Sequence, residues 1–431
     1  MWSRPLGLPA AAAVVLSALL VLTARAADTL TLAQAEQIAL RNNPKVGSSG
    51  LVAQAAEKQI AEAHAAFLPT LNGYLTGAAA EIGTALAAGV MQTSSISNRA
   101  TTGVALTQMV TDFGRTSNLT QTAKLRAAAQ GKNLATTRAQ VILEVRQAYF
   151  QALGAESALK VAQAAVDARR TTLRQIRALV QAQVNSTLDL SFAEVAVSEA
   201  ELALYQAEND SREARARLFA AMGYGDEQNS ILANEGTVTP LNTDIAGFIS
   251  EALQQRPDLT ALQLNRDASR RFAEAERKLR YGSITASAAG GVTPEHDHTV
   301  RDNYAGAGIN FTLPFLNGGL YSARYAEADL RAQAADKDVQ YLTVQISRDV
   351  RIAWLEANTT FQRLSVTERL LAQANEALRL ARARYQAGLG SIVELTQAEL
   401  TQTSAEIGAA VAKFDYLSRR ALLDYTTGAL R

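Results

Sequence analysis

The sequence contains no cysteine and only three histidines among 431 residues. A chain without cysteine has no disulfide framework and no thiol that could carry a lipid anchor. We also find no arrangement of nucleophile, base and acid that indicates catalysis. The sequence therefore predicts a protein that is not an enzyme and that has no cofactor and no bound metal.

Net charge is nearly absent as well, since 42 basic residues face 41 acidic residues. A nucleic-acid partner normally requires a basic face, so this balance argues against nucleic-acid binding. Beyond the N-terminus, no stretch approaches the length of an apolar transmembrane helix. If the mature protein meets a membrane, it must therefore do so through strands.

The one long apolar run lies at the N-terminus. Arg4 precedes the apolar residues Ala10–Leu22, and Ala24-Arg25-Ala26 has the small-x-small pattern of a cleavage site. A single spanning helix is the alternative, but about thirteen apolar residues are too few for a hydrocarbon core of about 30 Å. We predict that residues 1–26 are an export signal peptide.

The rest of the chain consists of two related halves. Val145–Phe150 returns as Val350–Leu355, and Ser186–Leu190 returns as Ser391–Leu395, in a register of about 205 residues that is far longer than a solenoid period. Each half is therefore a whole architectural unit. This predicts a first structural repeat at 27–222, a connecting segment at 223–256 and a second repeat at 257–431.

Proline is scarce and alanine abundant, which is typical of long helices. The predicted helices are Pro44–Leu68, Arg115–Val184, Leu188–Met222, Pro257–Arg280, Leu320–Ala387 and Val393–Thr427. The two longest would each measure about 100 Å. An eleven-residue apolar period over Val339–Leu364 predicts a nearly straight half, and a heptad over Leu371–Tyr385 predicts a supercoiled half. In the first repeat, Arg169 breaks the equivalent apolar pattern, while Tyr149 and Trp354 are predicted to pack in the core.

Segments rich in Gly, Ser, Thr and aromatics predict two β-hairpins with long polar loops at Glu81–Arg99 and Val292–Asn303. The four predicted strands are Pro69–Ala80, Ala100–Met109, Ser283–Gly291 and Tyr304–Leu313. In the last strand, Ile309, Phe311 and Leu313 share one apolar face, as in an outer-membrane barrel strand, although a half-buried strand of a soluble sheet has the same period. Four strands are too few to close a membrane barrel, so a barrel requires several chains.

Taken together, these features resemble the TolC family of outer-membrane efflux proteins over the whole predicted mature length. The resemblance is carried by the duplication and by Leu30-Thr31-Leu32 with Asn43-Pro44, Phe67–Leu71, Leu313–Gly319, Tyr385–Gly388 and Ser391–Leu395. It implies a mainly α fold with a small β part. Three chains would pool twelve strands into one β-barrel, which twelve helices would continue as a periplasmic tunnel that narrows at the helix turns.

The same resemblance implies a function. The chain would be a passive outer-membrane exit duct of a tripartite efflux or type I secretion system. Its partners would be two further copies, outer-membrane lipid, a periplasmic adaptor protein and an inner-membrane RND or ABC pump. A soluble periplasmic coiled-coil scaffold or adaptor without a pore is the alternative, but it does not account for two hairpins at matching points.

The resemblance also implies a periplasmic gate at Asp189, Tyr385, Glu394 and Gln397. Family members line the mouth with acidic residues, and a tyrosine at the position of Tyr385 helps to hold it shut. Threefold symmetry would form a ring of three Glu394 carboxylates, which favours cations. The alternative for Asp189 and Glu394 is stabilisation of a helix N-terminus. Gln397 stands where a second acid can occur, which suggests a less acidic gate.

Adaptor proteins of the family dock on the two helix turns. In this sequence the turns contain Gln183, Val184 and Asn185 in the first repeat and Gly388, Leu389 and Gly390 in the second. Gly390 stands where some members carry an arginine that pins the closed mouth. Gln183 stands where the first turn often has glycine, and we expect Asn185 to adopt the left-handed conformation instead.

One loop could bind a metal. His296 and His298 lie among Glu295, Asp297 and Asp302, and imidazoles together with carboxylates are metal ligands. A solvated extracellular loop explains the same residues more simply, so no metal site is predicted there.

Overall fold

The computed structural model of the protein describes residues 29–78, 87–88, 91–92, 99–226, 230–234, 237–295 and 301–430. The predicted signal peptide at 1–26 and both histidines of the 296–298 loop lie outside these ranges. Within the described residues, no helix is both long and apolar enough to cross a membrane.

Eight α-helices lie in the described part of the chain, in two sets of equal lengths. The helices of each set contain 11, 22, 67 and 35 residues. They are α1 Leu32–Asn42, α2 Pro44–Ala65, α3 Arg115–Gln181, α4 Thr187–Ala221, α5 Ile245–Gln255, α6 Pro257–Lys278, α7 Leu320–Gln386 and α8 Ile392–Thr426. The predicted long and return helices are confirmed, whereas α1 and α5 were not predicted.

Local capping sets where several helices begin. Proline occupies the first position of α2 and of α6, where its missing N–H costs no hydrogen bond, so both predicted starts are confirmed. Asn43 caps α2 because its Oδ1 accepts from the backbone N–H of Lys45 at 2.9 Å. A capping box also begins α1, in which the side chains of Thr31 and Gln34 each accept from the other's backbone N–H.

The strands form one four-stranded sheet and two minor pairs. They are β1 Thr29–Leu30, β2 Thr70–Ala78, β3 Ala87–Ala88, β4 Met91–Gln92, β5 Arg99–Thr111, β6 Ile231–Leu232, β7 Ser283–Glu295 and β8 Asn303–Thr312. The sheet has the order β2-β5-β7-β8 and is antiparallel throughout. Both predicted hairpins are confirmed, and the pairing of β5 with β7 joins the two repeats.

Two predicted loops contain more strand than expected. The loop Glu81–Arg99 includes the short antiparallel pair β3–β4, and β7 continues to Glu295, into the predicted loop Val292–Asn303. The connecting segment is also tied to the first repeat, because β6 pairs in parallel with β1. Backbone pairing with β5 thus continues β7 beyond Gly291, where the strand pattern of its side chains ends.

The main core lies halfway along α3, where the connecting segment crosses the helices. Tyr149 is completely buried there, and its hydroxyl lies 2.8 Å from the backbone oxygens of both Leu30 and Ala233, which share its one proton. The core prediction for Tyr149 is confirmed, but Trp354 is only partly buried. Its indole Nε1 donates to the backbone oxygen of Asn242 at 2.9 Å and thereby fastens the connecting segment to α7.

We expect Tyr149→Phe to lower the free energy of unfolding by about 1–3 kcal/mol, because the Ala233 oxygen loses the hydroxyl as a donor, whereas the Leu30 oxygen keeps the Ala233 N–H at 3.0 Å. Thermal unfolding followed by circular dichroism measures the change. Tyr341→Phe is the control, since Tyr341 is exposed on α7. Equal midpoints for the two variants would refute the assigned role of the Tyr149 hydroxyl.

Candidate functional site

The candidate site lies at the end of the helices opposite the sheet, where two turns reverse the chain. The turns have the same hydrogen-bond pattern, in which the N–H of Val184 donates to Leu179 at 2.9 Å and that of Leu389 donates to Arg384 at 2.8 Å. Each turn contains one left-handed residue, Gln183 with φ 59° and Gly388 with φ 69°.

The expectation that Asn185 adopts the left-handed conformation is wrong, because Gln183 adopts it. A side chain with a Cβ pays a modest steric cost in this region, which glycine at the equivalent Gly388 avoids. Asn185 is thereby left with its side chain free for another contact. Its amide donates to the Tyr385 hydroxyl at 2.7 Å, across 200 residues of sequence. This bond connects the first-repeat turn to the second-repeat long helix.

Tyr385 is partly buried against an apolar cluster that both repeats supply. The cluster contains Ile176, Ala193, Ile392 and Leu395. Burial raises the pKa of the Tyr385 hydroxyl, the Asp189 carboxylate raises it further, and the hydrogen bond from Asn185 offsets part of this rise. Tyr385 therefore stays neutral well beyond neutral pH and keeps its ability to form hydrogen bonds.

The two predicted acids, Asp189 and Glu394, have different local roles. Asp189 completes a capping box, because its Oδ2 accepts from the Ser186 N–H at 3.3 Å while Ser186 Oγ accepts from the Asp189 N–H at 3.2 Å. Glu394 lies beside Arg384, whose Nε donates to Oε1 at 3.1 Å. Sequence reasoning did not single out Arg384, although it lies in the last turn of α7.

Gly390 allows the Glu394 carboxylate to approach Arg384. A Cβ at Gly390 would lie 3.1 Å from Glu394 Oε2 and 3.2 Å from Arg384 Cβ, which is closer than most such contacts. Arg384 also donates to the backbone oxygen of Leu389 at 3.1 Å. The arginine that stabilises the second turn is therefore Arg384, on the preceding helix, and not a residue at position 390.

Gln397 lies apart from these contacts. It lines a cavity of about 290 Å³ between α3, α4 and α8, which is also lined by Arg169, Phe192 and Leu400. The structure therefore brings Asn185, Asp189 and Tyr385 together, places Glu394 beside Arg384 at the second turn, and puts Gln397 on a separate groove.

Sequence reasoning missed a buried ion pair above the turns. Arg169 on α3 and Glu399 on α8 are both buried and form a hydrogen-bonded ion pair. Thr172 donates to the second carboxylate oxygen at 3.4 Å, and Arg382 on α7 lies 3.5 Å from it. The one signal in the sequence was the arginine at a core position of the heptad.

The remaining predicted residues are on the surface of the single chain. Val184 and Leu389 project from the turns with 70% and 71% of their surface exposed. Ile309 and Phe311 on β8, and Leu313 just after it, are exposed apolar residues of one strand face. In the described residues, no group of three or more His, Cys, Asp or Glu residues could hold a metal.

Comparison with known proteins finds relatives over most of the chain. A sequence model described as "Outer membrane efflux protein" matches residues 35–224 and 248–429. The chain is 28% identical to outer membrane protein OprJ of Pseudomonas aeruginosa, over 86% of this chain and 78% of OprJ. It is 22% identical to TolC of Salmonella enteritidis, over 93% and 83% of the two chains.

A solved structure of CusC has the same fold. It superposes with a TM-score of 0.80 at 18% identity, over 92% of each chain. The fold class predicted from the sequence, mainly α with a small β part built from duplicated units, is confirmed.

The buried pair makes a sharp stability prediction. We expect Glu399→Gln to cost about 3–5 kcal/mol, because it leaves Arg169 buried without a counter-charge, whereas Arg169→Met combined with Glu399→Leu should be nearly neutral. Thermal unfolding measures both, with Arg348→Gln as the control for an exposed arginine paired with Asp349. A Glu399→Gln midpoint no lower than that of the control would contradict the prediction.

Proposed function

We propose that this chain works as a gated homotrimer. The chain belongs to the TolC family of outer membrane efflux proteins and is an outer-membrane exit duct of an efflux system. The observation that carries the proposal is the four-stranded sheet, whose outer strands β2 and β8 each leave one edge without a partner in the described chain. Unpaired strand edges are not tolerated in lipid. Three chains that pair β8 with β2 of the next copy would close a barrel of twelve strands.

In this arrangement the sheet lies in the outer membrane and the helices extend into the periplasm. Ile309, with 77% of its surface exposed, and Phe311 and Leu313 face lipid. The helices of the three chains continue the barrel as a tunnel that ends at the helix turns. The duct is passive, and an inner-membrane RND or ABC pump supplies the energy.

The gate at the periplasmic end is held by contacts between the repeats. The Asn185–Tyr385 hydrogen bond and the apolar cluster around Tyr385 keep the first turn against the second-repeat helices. Three Glu394 carboxylates form a ring whose negative charge favours cations. Arg384 partly neutralises this charge. Opening moves the helices apart at their turn ends and breaks the Asn185–Tyr385 hydrogen bond.

A periplasmic adaptor docks on the turns and shifts this equilibrium. Val184 and Leu389 offer it exposed apolar tips at equivalent places in the two repeats. An adaptor that binds the separated turns better than the closed ones opens the duct by population shift. A soluble scaffold without a pore has no use for the matched hairpins. Heat-modifiable trimers in outer-membrane fractions support the duct, and recovery in an osmotic-shock supernatant would support the scaffold.

We expect Tyr385→Phe and Asn185→Ala each to raise single-channel conductance in planar bilayers. Loss of one hydrogen bond, about 1 kcal/mol per chain, favours the open state about fivefold for each chain that opens. The double variant should equal either single one, because both remove the same bond. Tyr205→Phe, an exposed tyrosine on α4, is the control. Unchanged conductance, or additive effects of the two substitutions, would refute the role of the Asn185–Tyr385 hydrogen bond in keeping the gate closed.

The raised pKa of Tyr385 also predicts the pH range in which Tyr385 helps to keep the gate closed. A group whose pKa is higher in the folded state stabilises that state fully at pH values below its unfolded pKa, which is about 10 for tyrosine. This stabilisation is lost as the pH rises through the folded pKa. Conductance that depends on Tyr385 should therefore rise only in strongly alkaline solution. Comparison with Tyr385→Phe isolates this contribution, and a rise confined to neutral pH would count against it.

The charge ring is tested separately. Glu394→Ala combined with Tyr385→Phe should raise conductance above Tyr385→Phe alone and reduce the preference for cations over anions. Glu376→Ala is the control, because Glu376 pairs with Arg379 on α7 and is exposed. An unchanged ion preference would remove Glu394 from the gate.

A further inference from the structure

An aromatic cluster lies at the end of the sheet where the long helices begin. The rings of Phe113 and Tyr281 have centroids 6.3 Å apart, and those of Phe113 and Phe311 are 6.5 Å apart. Phe311 shares the exposed apolar face of β8 with Ile309. Phe113 and Tyr281 therefore lie at the junction of the sheet with the helices, beside the face of β8 that carries Phe311.

The turn before α3 holds Phe113 in this place at a conformational cost. Asp112 is buried, and its two carboxylate oxygens accept from the N–H groups of Gly114 at 3.2 Å and Thr116 at 2.6 Å. Phe113 has φ 55°, whereas the equivalent turn before α7 places Gly318 there with φ 61°. Since glycine satisfies this turn without strain, the phenylalanine ring must serve a contact beyond the turn.

Two cations flank the same cluster. Lys278 Nζ lies 5.3 Å and the Arg280 guanidinium carbon 4.8 Å from the Tyr281 ring centroid. Arg280 also donates to the Tyr281 hydroxyl at 2.6 Å. Within the described residues neither cation forms an ion pair with a carboxylate, whereas the adjacent Arg277 is paired with Glu274 at 2.5 Å.

We propose that Lys278, Arg280 and Tyr281 bind the phosphate of an anionic phospholipid whose acyl chains lie on Phe113 and Phe311. The inference rests on the proposed function, which places this end of the sheet at the periplasmic leaflet of the outer membrane. Charge complementarity selects the occupant, because two cations without a carboxylate partner in the described residues, beside exposed rings, match a phosphate joined to hydrocarbon.

A second copy of this chain is a less suitable occupant. Pairing between copies uses the edges of β2 and β8, whereas Phe311 projects from the face of β8 and Phe113 packs beside it. A free phosphate would satisfy the cations but would leave the rings exposed. A phospholipid headgroup with its acyl chains satisfies both.

The test uses the purified full-length protein reconstituted in an equal mixture of phosphatidylcholine and phosphatidylglycerol. The protein is then extracted in polymer-bounded discs, and the lipids that remain with it are quantified by mass spectrometry. We expect phosphatidylglycerol to be enriched several-fold over the bulk mixture. Lys278→Gln combined with Arg280→Gln should abolish this enrichment. Phe113→Asn, which keeps a residue that tolerates positive φ, should reduce the amount of retained lipid.

The control is Arg348→Gln combined with Lys413→Gln, which removes the same charge from the helical part. Lys413 also lies over an aromatic ring, that of Phe414, at 5.6 Å. Equal enrichment in the wild type and the Lys278/Arg280 variant, or equal loss in the control, overturns the lipid site. Conductance of the same preparations separates the two proposals. Channels without lipid enrichment refute only this site, and protein that neither inserts nor conducts refutes both.

Discussion

The long helix α7 buries mainly alanine, so we infer that a few buried charges hold its position against α3, which buries larger side chains such as Tyr149 and Phe150. Alanine side chains bury little volume, so sliding one helix along another loses little packing. A buried ion pair does not tolerate such sliding, because each charge would lose its partner in a poorly solvated place. Glu399 provides this constraint near the turns, and the buried Glu276 provides it near the sheet.

Glu276 lies on α6 near the beginning of both long helices. Arg324 Nε is 2.7 Å from one carboxylate oxygen, and Arg115 Nη2 is 3.6 Å from the other. The two long helices are thus tied to the same acid at one end, while Glu399 contacts Arg169 and Arg382 from the same two helices toward the other end. We interpret these two acids as the points that set the register of α3 against α7.

The duplication is symmetric in length but not in chemistry, and the differences lie at the functional ends. At the turns, Gln183 replaces glycine and Asn185 reaches Tyr385, while the second turn uses Gly388 and Arg384. At the sheet, Phe113 stands where the second repeat has Gly318. Equal helix lengths preserve the scaffold, and the unequal end residues allow each repeat a different task.

Periodicity and punctuation in the sequence determined the elements themselves. Pro44 and Pro257 marked helix starts, the eleven- and seven-residue spacings marked the buried faces, and strict alternation marked β8, because these signals depend only on neighbours along one element. Contacts between elements were decided by the tertiary structure alone. Asn185 meets Tyr385, Arg169 meets Glu399 and β5 pairs with β7 only after folding, since no local pattern records which residues some 200 positions apart will touch.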